Sequence, residues 1–255
     1  MKVFAIALNT SREAIRNRVL YSILLFACLV TGISAAFGWA SIGDTTKFVI
    51  DFSLFSISLF GVVTTVVLGV SLLSKELGKR TIYNILSKPV ARWQFLIGKF
   101  LGLVATLAVM MALMTAALLT LLYFFEGRID WRIVTVVAVM LLELGILSAV
   151  AIFFSSIVVT PTLAGLFTAA TFIAGRSTSM LNYFMTPDQP MTLRYVASGL
   201  HAVLPHLNQF YIADRIAFGM TVPPGYYLHA SMYAAAYMGW LLLISVAIFR
   251  RREFL

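Results

Sequence analysis

The sequence predicts an all-α fold: a polytopic membrane protein of six transmembrane helices, with both termini cytoplasmic and an amphipathic cytoplasmic helix between spans two and three. Three observations predict it. Apolar residues make up 61% of the 255 residues and charged residues only 11%, against about 45–50% and about 25% in soluble chains. A chain this short exposes a large share of its area, so it cannot hide that much apolar surface from water. The uncharged residues fall in long runs, and the bases collect on alternate connections between them. A water-soluble enzyme does not fit this composition, nor does a disordered or collagen-like chain.

The runs define the spans in order. Residues 19–39 form the core of an uncharged stretch from Val19 to Gly43, which crosses a bilayer at about 1.5 Å per residue. Runs at 52–74 and 100–125 follow, and a fourth at 133–159 is interrupted only by Glu143. Pro161 opens a shorter fifth run, 161–175, at the position where a helix best tolerates proline. The sixth is 230–249. Lys2, Arg12, Arg16 and Arg18 precede the first run as they would a secretory leader, but the run is too long and no small-residue cleavage pattern follows. It reads as an uncleaved anchor.

Orientation follows from the bases. The segment before span one, the connection from Lys75 to Lys99 and the tail Arg250 to Arg252 hold thirteen of the nineteen. In a six-span chain all three lie on one side, and the positive-inside rule makes that side cytoplasmic. The other side holds Lys47, Arg128, Arg132, Arg176, Arg194 and Arg215, balanced by nearby acids. The net charge of +9 thus sets topology, and no nucleic-acid partner is expected because the bases form no stripe on a soluble face.

Residues 1–18 are expected to form a cytoplasmic interfacial helix, with Phe4, Leu8, Ile15 and Val19 on its lipid side and Thr10 and Ser11 capping a fresh turn. Residues 19–255 form a single six-span domain. Within it, Ser74 to Ser87 would be a helix with Leu77, Thr81, Ile82, Ile85 and Leu86 over one half and Glu76, Lys79, Arg80, Asn84 and Ser87 over the other, ended by Pro89. Such a helix lies on anionic lipid or docks in a groove of a soluble partner. The outer segment 176–229 mixes apolar stretches with five prolines, as short helices covering the outer mouth of the bundle would.

Chemistry-bearing motifs are sparse. Neither Gly78-Lys79-Arg80 nor Gly98-Lys99-Phe100 completes a phosphate-binding loop, so the chain does not hydrolyse ATP alone. No catalytic residue is expected. Cys28, the single cysteine, sits in an apolar run and excludes a disulfide framework. His201 and His206 lie five apart and His229 is remote, a poor metal set; local hydrogen bonding is the expectation, with a metal or haem the alternative. Glu143 is the one acid deep in a span, either a functional group, a partner for a base on another helix, or a packing contact to Ser or Thr. Gly98 and Gly102 form a GxxxG read as packing.

The stretch Ser74 to Lys99 resembles the signature region of type-2 exporter permeases of the ABC (ABC-2) superfamily. There an acid ends span two, a Gly/Thr-rich turn follows, and a Leu-Ser-x-Pro-Val-x-Arg run leads to Gly-Lys before span three. Here these are Glu76, Gly78 to Thr81, Leu86 to Arg92, and Gly98 with Lys99. Within the superfamily the chain is similar to permeases encoded beside copper-enzyme maturation and gliding-motility systems. The resemblance implies a membrane-spanning permease subunit of an ATP-driven exporter in the bacterial cytoplasmic (inner) membrane. It implies a separately encoded ABC ATPase, which holds the ATP and Mg, and a second permease chain as homo- or heterodimer, with no cofactor or metal in this chain. Residues 75–88 would be the coupling helix, with Glu76 and Arg80 as polar contacts to the ATPase and Ile82 and Leu86 as apolar anchors. Two readings from other classes stay open: an intramembrane redox or metal-binding subunit using Glu143 and the histidines, and a non-transporting membrane assembly factor.

Overall fold

A computed structural model describes residues 2–40, 45–78, 91–127, 129–158, 160–186, 189–213 and 222–251. These residues form α1 (Lys2–Ile15), α2 (Arg18–Ala40), α3 (Thr45–Gly78), α4 (Arg92–Glu126) and α5 (Arg132–Ile157). They continue as α6 (Pro161–Arg176), α7 (Thr178–Phe184), α8 (Met191–Val203), a 3-10 turn (Leu207–Phe210) and α9 (Pro224–Arg251). No strand occurs among the described residues. An all-helical answer is what lipid requires, because each helix satisfies its own backbone polar groups.

α3, α4, α5 and α9 are each long and apolar enough to cross a membrane, and α1 with α2, bent by 63°, makes a fifth such unit. α6 begins at Pro161 as expected, but its 16 residues cover only ~24 Å. That is short of the ~30 Å hydrocarbon layer. Two boundaries also move. α3 begins at Thr45 and continues through 75–78, so the amphipathic helix expected at 75 does not start afresh there. No proline or glycine stands between 71 and 77 to break the ladder. α4 starts at Arg92 instead of 100, where the Ala91 amide donates to Gln94 Oε1 at 3.3 Å. It ends at Gly127, whose φ of 66° gives the left-handed cap that glycine adopts at least cost.

α5 is the axis of the bundle. It is apolar on every side, touches α3, α4, α6 and α9, and its spanning window is 78% buried against 22% for α9. Leu144, Ile146 and Leu147 share its core with Leu54 and Ile57 of α3 and Met110, Met111 and Met114 of α4. Buried hydroxyls return to the carbonyl one turn back: Thr65 to Gly61 O at 2.8 Å, Thr115 to Met111 O at 2.7 Å, and Ser148 to Leu144 O at 2.7 Å. This disposes of their polarity inside an apolar medium.

At one end of the bundle the basic segments meet. Arg92 donates to the last carbonyls of α9, Phe249 O at 2.9 Å and Arg250 O at 3.0 Å, a cation set on a helix C-terminus. α1 lies across the start of α4. Its Phe4 is 73% exposed, as a lipid-facing residue would be. Thr10 and Ser11 do not cap a turn: they are buried in mid-helix, where Thr106 donates to Ser11 Oγ at 3.3 Å. Small residues are placed there because α1 approaches α4 directly over Gly98 and Gly102. A Cβ on Gly102 would stand 2.6 Å from Ala7 O, and one on Gly98 would stand 2.7 Å from Ile6 Cβ. The GxxxG is therefore used within the chain, against α1.

Candidate functional site

Glu143 lies on the most buried helix and is 1% exposed. Its partner is Arg176, the last residue of α6. Arg176 Nε donates to Glu143 Oε1 at 2.8 Å and one terminal nitrogen donates to Oε2 at 2.9 Å. That same nitrogen donates to Ser58 Oγ of α3 at 2.9 Å. The guanidinium lies 4.4 Å from the Tyr211 ring centroid and 5.3 Å from that of Phe172, so two aromatic rings approach it while its fork is engaged. One side chain thus fastens α3, α5, α6 and the segment after the 3-10 turn.

The sequence marked Glu143 but counted Arg176 as an outer-loop charge. The structure draws it inward, because α6 ends too early to carry its last residue clear of the bundle. A signal was present: a carboxylate committed to the hydrocarbon needs a cation, and Arg176 is the base that closes the next short helix. Ser58, Phe172 and Tyr211 carried no such signal.

A second cluster lies in the outer segment. α8 stops at Val203, the chain turns at Pro205, and the turn folds His206 back onto His201. Their ring nitrogens are 3.0–3.2 Å apart, so the five-residue spacing, unsuited to a single helix face, is closed by the turn. Tyr233 of α9 donates its hydroxyl to, or accepts from, His206 Nδ1 at 3.2 Å and accepts the His206 amide at 3.0 Å. Tyr237 donates to Val203 O at 2.9 Å. These bonds tie the outer segment to α9. His229 does not join them, and among the described residues no three His, Cys, Asp or Glu side chains converge as a metal set.

Burial, and then the charge of His201, hold His206 below its ordinary pKa of 6.5. A depressed histidine binds its proton less readily folded than unfolded, so the contribution is full above about pH 6.5 and is lost as pH falls towards and through the lower folded value. The thermal stability of the purified chain is expected to fall between neutral and mildly acidic pH. His206→Gln is expected to flatten that dependence.

Of the four predicted coupling residues, Glu76 falls in the last turns of α3, while Arg80, Ile82 and Leu86 lie outside the described residues. Among curated proteins none matches the sequence significantly. The family model for the ABC-2 family transporter protein matches residues 4–247, essentially the whole chain. Its several apolar helices and this match together make it a multi-pass membrane protein of a transport family. The chain belongs to the ABC-2 transporter family, as a permease component of an ABC transporter.

Proposed function

We propose that the chain is the membrane-spanning half of an ATP-driven exporter in a bacterial inner membrane, paired with a second permease chain and served by separate ATPase subunits. The observation that carries this is the family match over residues 4–247. The absence of any phosphate-binding loop in the sequence supports a division of labour between chains. Six crossings with both termini cytoplasmic is the topology that best uses the base distribution, with α6 as a short crossing. Residues 75–88 form the coupling segment, extending from the end of α3, and Glu76, Arg80, Ile82 and Leu86 contact the ATPase. Nucleotide-driven movement of that segment biases the bundle between two arrangements, which requires contacts that differ between them.

The test is extraction of the tagged chain in mild detergent from its native membrane. A soluble subunit bearing a phosphate-binding loop is expected in near-equal amount. Glu76→Ala with Arg80→Ala is expected to reduce that recovery about tenfold, the range of an ordinary coupling energy, while membrane insertion survives. Recovery of the chain alone, with a coloured cofactor or tightly bound metal, would overturn the reading in favour of a redox or metal-binding subunit. Unchanged recovery with the variant would relocate the contact.

A further inference from the structure

We propose that the junction of α1 and α2 binds an anionic phospholipid, its phosphoryl headgroup in a basic pocket and an acyl chain along the exposed face of α2. The pocket, about 370 Å³, is lined by Glu13, Arg16, Asn17 and Arg18 with Ser71 of α3. Its charges are unbalanced. Glu13 is engaged by Lys99 at 3.8 Å, while the side chains of Arg16 and Arg18 have no hydrogen-bond or ion-pair partner among the described residues. The N-terminus of α2 opens at the same place, with the Val19 amide donating to Asn17 Oδ1 at 3.1 Å. The Leu20 amide donates to Asn17 O at 3.1 Å, and the positive end of the helix dipole adds partial charge at this point. Two guanidinium groups beside a helix N-terminus and an apolar wall favour a phosphoryl oxygen.

Arg18 also heads the apolar stripe. Tyr21, Leu25 and Leu29 follow it at helical spacing and are 54%, 63% and 53% exposed. They and Cys28 line a groove of about 710 Å³ that extends to Ile33. From Arg18 to Ile33 the helix rises ~22 Å, the reach of an acyl chain. A second copy of this chain is a poor occupant of the whole site. The segments expected at this end carry Glu13, Glu76 and Glu253 against thirteen bases, so another copy brings more positive charge to the pocket. A diacyl phosphate brings both the anion and the apolar length. The inference is independent of the ATPase reading, since no nucleotide or partner enters it.

The single cysteine supplies the probe. A fluorophore on Cys28, in full-length protein reconstituted with brominated lipids, is expected to be quenched by brominated phosphatidylglycerol with about tenfold higher apparent affinity than by brominated phosphatidylcholine. Arg16→Gln with Arg18→Gln is expected to bring the two lipids level while leaving phosphatidylcholine quenching as it was, which shows that the chain is folded. Arg12→Gln, one turn earlier and outside the pocket, is expected to leave the preference intact. Equal loss with Arg12→Gln would make the effect a general surface attraction and overturn the site. Loss of the preference in millimolar inorganic phosphate would assign the pocket to free phosphate and overturn the lipid. Cys28-to-Cys28 cross-linking with no quenching by either lipid would place a second copy in the groove and overturn the proposal.

Discussion

Arg176→Met is expected to be the most damaging single change in the bundle. It leaves Glu143, 1% exposed, without its bidentate donor. Removing one partner of a buried pair costs about 3–5 kcal/mol, because the remaining charge stays unsolvated. The converse change, Glu143→Gln, is expected to cost less, about 1–3 kcal/mol. Arg176 keeps 24% of its side chain accessible and retains Ser58 Oγ and the ring of Tyr211. The double variant Glu143→Leu with Arg176→Met is expected to recover most of the loss, since a matched apolar pair removes both desolvation penalties. Thermal unfolding in detergent reads the series, with Arg176→Met lowered by roughly 10 °C. If the double variant melts as low as Arg176→Met, the stabilisation comes from guanidinium packing on Phe172 and Tyr211 and not from the ion pair.

The same series bears on transport. The pair joins α3 and α5 to α6 and to the outer segment, so a cycle that moves these elements either carries the clamp intact or breaks it once per turnover. Restored stability with normal transport activity in the double variant would make the clamp a fixed strut. Restored stability with lost activity would show that the cycle uses the charge itself. Stability alone does not distinguish these roles, which is why the double variant and not the single one is the informative protein.

What the sequence revealed was set by the physics of each feature. The uncharged runs located α3, α4, α5 and α9 because lipid selects composition directly, yet the ends were misplaced. Hydropathy registers where charge resumes, while the backbone ladder of α3 continues past Lys75 with nothing to break it. Glu143 was legible as an anomaly, and Arg176 was not, since its inward direction depends on where α6 stops. The histidine spacing was judged against a single helix, and Pro205 makes a turn there instead. Thr10 and Ser11 misled for a chemical reason: short hydroxyl residues suit helix caps and close helix contacts equally well. Only the partner helix, with Gly98 and Gly102 opposite, decides between them.

Gly102→Val is expected to release α1 from α4. A Cβ at Gly102 would stand 2.6 Å from Ala7 O and 2.6 Å from Thr10 Cβ, so relief requires movement of the α1 backbone. Overpacking of that kind costs typically 1–3 kcal/mol, and a branched side chain at a backbone obstacle lies at the upper end. Gly98→Ala meets mainly the Ile6 side chain, at 2.7 Å, and is expected to cost less. Gly199→Ala in α8, where a Cβ has nothing within 4 Å, is the neutral control. Limited trypsinolysis at Arg12 and Arg16 reads the released population, which 1.4 kcal/mol already raises about tenfold. The expected order of cleavage rates is Gly102→Val, then Gly98→Ala, then Gly199→Ala and the unaltered chain together. Dissociation of a dimer by Gly102→Val with α1 still protected would place the motif between chains. Cleavage at α1 with the oligomeric state unchanged would show that close packing at this GxxxG holds a helix against its own bundle and not against another copy.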